Sequence, residues 1–196
     1  MRDIDFLTAP AALPFIVSRT AELSFNMASE PRTGALLQVL AASKPNGRLL
    51  ELGTGTGLAT ASLLSGMDAH STLVSVDTDP AVQAVAREAL GTDPRLTLIL
   101  EDGAAWLTRQ LTLSPKPQFD LIFADAMPGK YESRDEALAH VAPGGFYVID
   151  DMLPQPNWPE CHDAKATNLL HKLAAHPGFH MAPMTWSTGI VLLVRK

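Results

Sequence analysis

Residues 48 to 64, "RLLELGTGTGLATASLL", constrain this chain more than any other stretch, because an apolar strand runs into glycines at alternate positions and then into a small-residue helix. Glycine tolerates positive φ and lets a ligand approach the backbone with no Cβ in the way. A strand, a glycine turn and a helix in that order open a parallel sheet whose ligands bind past the carboxyl ends of its strands. The chain beyond residue 45 agrees, since short β-branched runs alternate with longer helical ones. Strands are expected at 49–53, 72–77, 96–100, 121–125, 145–150, 179–184 and 190–194, with helices between them, among them 80–90 and 131–140. Only residues 185–189 separate the last two runs, too few for a parallel crossover. These runs should close as an antiparallel hairpin on an otherwise mostly parallel, doubly wound α/β sheet of seven strands with helices on both faces.

The 196 residues, 46% of them hydrophobic, suffice for one domain with a substantial core. Residues 1–45 read as a helical cap, in which Glu30-Pro31 opens a helix carrying Leu36, Leu37 and Leu40, and residues 46–196 read as the core that holds the ligand. Acids outnumber Lys and Arg by 21 to 15, for a formal charge of -6, which argues against a nucleic-acid surface. No apolar run reaches the roughly 18 residues of a membrane span, and the single cysteine, Cys161, cannot form an internal disulfide. Mixed charges over Met1-Arg2-Asp3-Ile4-Asp5 and the break at Pro14 speak against a leader, so a cytoplasmic location and a small-molecule partner are expected. The N-terminal helices offer a surface on which a homodimer could pack.

A dinucleotide fingerprint, G-x-G-x-x-G, would need glycine at position 58, where Leu58 stands, and Glu51 just before the turn would repel pyrophosphate. The pattern E-x-G-x-G-x-G, followed by Asp77 at the end of the next strand, instead resembles motif I of the S-adenosylmethionine-dependent methyltransferases. That resemblance implies a Rossmann-like fold and a cationic cofactor without phosphate. It places Gly53, Thr54, Gly55 and Gly57 under the cofactor, Glu51 near the ammonium of its amino-acid tail, and Asp77 on both ribose hydroxyls. Asp102-Gly103, ending the third strand, stand where such enzymes hold adenine; Asp102 can equally cap the following helix. Trp106 on that helix flanks adenine or fills the core.

Over nearly its whole length the chain resembles the catechol and caffeoyl-CoA O-methyltransferase group, small bacterial members especially. In "FNMASEPRTGALL", Met27 and Ser29 match positions that lie over the cofactor. The resemblance implies a divalent cation, usually magnesium, held by Asp125 of "FADAMPGKY" and by Asp150 and Asp151 of "VIDDM". Carboxylate oxygens with positions left for water and substrate suit such an ion. The family's general-base lysine falls on Pro128. Lys130 is nearby, as a catalytic group beside Asp125 or, more plainly, as an exposed lysine at a helix start. His162 is a further proton acceptor, and Trp158 in the "PQPNWP" loop is a candidate wall for the acceptor. The histidines lack zinc-ligand spacing. The implied function is transfer of a methyl group from S-adenosylmethionine to oxygen on a small molecule. Its rivals are an NAD-dependent oxidoreductase, a methyltransferase acting on nitrogen or a macromolecule, and a non-catalytic S-adenosylmethionine-binding protein.

Overall fold

The computed structural model describes residues 3–196, so Met1 and Arg2 of the leading segment lie outside the described residues. After a short 3-10 turn (Asp3–Phe6), helices α1 (Leu13–Glu22) and α2 (Pro31–Ala42) lead into β1 (Arg48–Leu52). Then follow α3 (Leu58–Gly66), β2 (Thr72–Asp77), α4 (Pro80–Leu90), β3 (Leu96–Leu100), α5 (Gly103–Leu111) and β4 (Phe119–Ala124). A turn numbered α6 (Met127–Lys130), a two-residue β5 (Tyr131–Glu132), α7 (Arg134–Ala139), β6 (Val141–Ile149), α8 (His162–Ala174), β7 (Phe179–Met184) and β8 (Ile190–Arg195) complete the chain.

Seven strands form one sheet in the order β3-β2-β1-β4-β6-β8-β7. The β1, β2, β3, β4 and β6 ladders are parallel, whereas β8 runs antiparallel to both β6 and β7, as the short 185–189 connection requires. Winding proceeds outward from β1 to β3 and then resumes on the other side at β4. The crevice between β1 and β4 is therefore the switch point at which such sheets bind ligands.

Both faces of the strands are covered, and alternate residues serve opposite cores. Leu50, Leu52, Ile122 and Tyr147 pack with Trp106, Leu107, Leu138 and Leu169 from α5, α7 and α8. Leu49, Leu73, Leu121 and Phe123 pack with Ile16, Leu37, Leu63 and Val85 from α1 to α4. Trp106 is thus a core residue, 5% exposed, rather than a flank for a ligand. The helix expected over 131–140 is shorter than its sequence suggested. Ser133 has φ 47 and breaks the run, so that only Arg134–Ala139 is helical and β6 starts at Val141.

α2 and α3 touch so closely at Gly66 that a Cβ there would stand 2.0 Å from the Gln38 carbonyl oxygen. Backbone cannot yield as a side chain does. Gly66→Ala is expected to lower stability by about 1–3 kcal/mol, the scale of overpacking, read from urea unfolding monitored by circular dichroism. An unchanged midpoint would show that the two helices separate freely.

Candidate active site

The carboxyl ends of β1, β2 and β4 and the segment before α2 enclose a cavity of about 340 Å³. Its position follows from the ladders: Gly53 N–H donates to Val76 O (2.9 Å) and Asp125 N–H to Leu52 O (2.9 Å), so both residues leave the sheet at one edge. Gly53 has φ +100, and a Cβ on it would meet the Asp125 carbonyl oxygen at 2.9 Å. Only glycine lets β1 and β4 diverge around the crevice there. At Gly55, φ +51, an added Cβ would find nothing closer than the Phe25 ring at 3.4 Å, so its missing side chain leaves a cradle over the backbone.

Side chains hold this turn. Asp77 Oδ2 accepts the Gly55 N–H (2.7 Å) and Oδ1 the Asp79 N–H (2.9 Å), tying the end of β2 to the turn after β1. From the N-terminal side, Thr20 Oγ1 lies 2.8 Å from Thr56 Oγ1, fastening α1 to the same turn. Ser29 Oγ donates to Asp125 Oδ2 (2.9 Å) and brings the 25–29 segment across the cavity mouth.

Of the residues singled out in the sequence, Met27, Ser29, Gly53, Thr54, Gly55, Asp77 and Asp125 line this cavity together. Gly103 lines a smaller adjoining pocket with Val76, Asp77 and Pro128. Gly57 lies behind the turn instead, where a Cβ would meet that of Ala86 at 2.8 Å. Asp102 caps α5, its Oδ1 accepting the Ala105 N–H at 2.8 Å. Glu51 also lies outside the lining. It is wholly buried, with Oε2 accepting from Thr60 (2.6 Å) and Ser75 (2.5 Å), whose hydroxyl is 2.6 Å from Thr54 Oγ1. It reaches the cavity only through that chain of hydroxyls.

The acidic groups after β4 and β6 are engaged by protein donors. Asp150, 1% exposed, accepts from Thr188 Oγ1 and from the Asp151 N–H (2.8 Å). Burial and the neighbouring Asp150 charge push the Asp125 carboxyl well above its usual range, opposed by the Lys130 charge. Asp150 is raised by burial too, against the lowering effect of its Thr188 bond. Among the described residues no group of three or more His, Cys, Asp and Glu side chains is arranged to hold a metal ion. Beside Asp125, Asp150 and Asp151 the opposite charge that the structure shows is that of Lys130, which counters theirs at Asp125. Lys130 is not the exposed lysine expected. It is 6% exposed, with Nζ 3.5 Å from Asp151 O.

Several participants had no motif of their own. Phe25, Ala28, Val82 and Ala126 line the cavity, and Thr188 satisfies Asp150 from the β7–β8 turn. The antiparallel hairpin itself was the available signal for Thr188, because pairing β8 against β6 carries residues 185–189 to the ligand edge. Tyr131 Oη lies 3.0 Å from His162 Nε2, and the Trp158 ring packs 4.5 Å from that of His162, so the loop after β6 does approach the acidic groups.

A family model described as a methyltransferase domain matches residues 50–152. A curated relative from Mycolicibacterium vanbaalenii, named "Putative O-methyltransferase", is 33% identical over 126 residues, 62% of this chain and 54% of the relative. The chain thus spans about half the length of the curated relatives it matches. Among solved structures, the O-methyltransferase TomG of Streptomyces achromogenes, involved in tomaymycin synthesis and in complex with SAM, superposes with TM-score 0.83 at 21% identity, over 97% of this chain and 92% of that one. An O-methyltransferase from Bacillus cereus in complex with SAH gives TM-score 0.83 at 18% identity, over 97% and 93%. At these identities the two structures establish a shared fold.

Burial pushes the Glu51 carboxyl up to about 8, against the lowering effect of its Ser75 and Thr60 bonds. The folded chain then keeps a proton that the unfolded chain loses above its ordinary value of 4.5, so stability falls as pH rises from there to about 8 and levels off beyond. Each unit of pH within that window costs up to about 1.4 kcal/mol. Glu51→Gln should flatten this dependence and be more stable than the parent at pH 8 relative to pH 6 in guanidinium unfolding. Parallel pH profiles for parent and variant would show that Glu51 is ionised in the folded chain throughout.

Proposed function

The chain belongs to the methyltransferase-domain family, and from that premise we propose that it transfers a methyl group from S-adenosylmethionine to a hydroxyl oxygen of a small molecule. One observation carries this reading: a single cavity joins the glycine turn and Asp77 to Asp125. S-adenosylmethionine, when bound, supplies a sulfonium methyl already activated for in-line displacement, so positioning can account for much of the rate. The chain's residues suit that cofactor. The cradle above Gly55 has room for a ligand lying on the backbone. Asp77 keeps lone pairs on both oxygens, beyond those holding the Gly55 and Asp79 N–H groups, with which to accept two ribose hydroxyls. Met27, Ala28 and Ser29 line the cavity, and in this reading the adjoining pocket of Gly103 and Pro128 receives the base.

At the other end Asp125 orients the acceptor hydroxyl and takes its proton while the oxygen lone pair forms the new bond to carbon and the sulfur–carbon pair returns to sulfur. A carboxylate raised by burial is a stronger base than one in water. The formal charge of -6 supports a small acceptor rather than a nucleic acid, and no helix among the described residues is long and apolar enough to cross a membrane. In this reading residues 1–45 cap a catalytic core of residues 46–196 in the cytoplasm. Exposed Phe6, Phe15 and Val17 on the cap support a homodimer.

Calorimetric titration with S-adenosylhomocysteine tests the reading. Binding is expected in the parent, and Asp77→Asn should weaken it by about 1.5–3 kcal/mol, the scale of hydrogen bonds to a charged group. Stabilisation by NAD, with no heat from S-adenosylhomocysteine, would replace the methyl donor with a dinucleotide.

A further inference from the structure

The turn that carries Lys130 is built with unusual care for a surface connection. Pro128 is extended (ψ 135) and Gly129 left-handed (φ 83), and the Gly129 carbonyl accepts the hydroxyl of wholly buried Tyr147. A Cβ on Gly129 would stand 2.5 Å from Leu52. Pro128 thereby faces Gly103, with ring carbons 3.0 and 3.2 Å from where a Cβ on that glycine would lie. Lys130 is directed to the opposite side, to Asp151 O. The proline at the family's lysine position and the lysine two residues later are therefore one arrangement, in which the first serves the base pocket and the second enters the cluster of acids.

A lysine seldom becomes this buried unless negative groups compensate it. Here the compensation is at hand: the Lys130 charge opposes the raising effects of Asp150 and Asp151 on Asp125. Asp151 O takes one of the three ammonium donors. Ser29 holds one oxygen of Asp125, and Thr188 and the Asp151 N–H share one oxygen of Asp150, which leaves negative charge in the cluster for a cation to balance.

We propose that the Lys130 ammonium is the resident cation of the acceptor end, in the place where the resembling enzymes hold a divalent metal, and that it holds an acidic hydroxyl, of phenol or enol class, as its oxyanion. This rests on the proposed methyl transfer. The acceptor's proton goes to Asp125, the oxyanion lone pair forms the oxygen–carbon bond, the sulfur–carbon pair returns to sulfur, and Lys130 takes no part in the proton transfer. A fixed positive charge does what a Lewis acid would do for the oxygen, lowering its basicity and fixing its place, without metal exchange.

The test uses the full chain with magnesium alone, and separately with 4-nitrophenol in the presence of saturating S-adenosylhomocysteine. Magnesium and EDTA should leave the parent's melting temperature unchanged. Lys130→Met keeps the length but not the charge, and should acquire stabilisation of several degrees by magnesium. Lys130→Arg keeps the charge and should remain indifferent. The visible spectrum of bound 4-nitrophenol should report the phenolate at lower pH than in free solution with the parent, and lose that shift with Lys130→Met. Stoichiometric magnesium binding by the parent overturns the proposal even if Lys130→Met fails to fold, and so does a nitrophenol spectrum that the parent leaves unshifted. Failure of S-adenosylhomocysteine to bind the parent would instead remove the methyl donor, while the magnesium arm still reads the cation.

Discussion

The bond from the Gly55 N–H to the Asp77 carboxylate is the contact on which the ligand edge depends. Three parallel strand ends emerge side by side, and nothing in the ladder dictates where their loops go once the backbone bonds stop. The carboxylate at the end of β2 fixes the loop after β1 through a charge-assisted bond, and it accepts the Asp79 N–H that leads into α4. One side chain thus sets the relative position of two connections while remaining exposed to the cavity. The left-handed glycines make this possible, because any residue with a Cβ at Gly53 would collide with the exit of β4.

Beneath the turn lies a second layer of control. Glu51, Thr60, Ser75, Thr54 and Gln83 form a buried polar chain within an otherwise apolar sheet. One oxygen of Glu51 has no hydrogen-bond partner in the described structure, which suits a carboxyl that keeps its proton. Neutral, it ties β1, β2 and α3 together without placing a negative charge under the cavity. The chain ends at Thr54 in the cavity wall, so the rigidity of the core reaches the site through hydroxyl groups rather than through apolar packing alone.

Much of this was legible before any coordinates. Strand periodicity located every strand of the sheet, because each buried strand alternates sides between two helical layers, and the five-residue gap before Ile190 dictated the antiparallel close. Asp77 and the glycine turn were legible because their chemistry is local to a strand end. What escaped was set by tertiary context. Glu51 was read as a ligand group, yet burial turned it into the centre of a hydroxyl network. Asp102 had two roles open to it, and the α5 N-terminus took the carboxylate. Lys130 looked like an exposed helix start, because no pattern in "AMPGKY" announces that Tyr147, from a strand still to come, will pin Gly129 and turn the next side chain inward.

The two ends of the cavity are consequently built in different ways. The turn and Asp77 are fixed mainly by backbone geometry and by bonds among β1, β2 and α4, neighbours in sequence as well as in space. The acidic end is assembled from residues far apart in the chain: Ser29 bonds Asp125, Thr188 bonds Asp150, and Lys130 reaches Asp151. A substitution at the first end disturbs a turn that several strands share, and little variation is compatible with it. At the second end Asp125 and Asp150 each have a partner on a loop of its own. The charge and shape presented to an acceptor can therefore change with one loop while the sheet and the glycine turn stay as they are, and Pro128 together with Lys130 is such a change within six residues of β4.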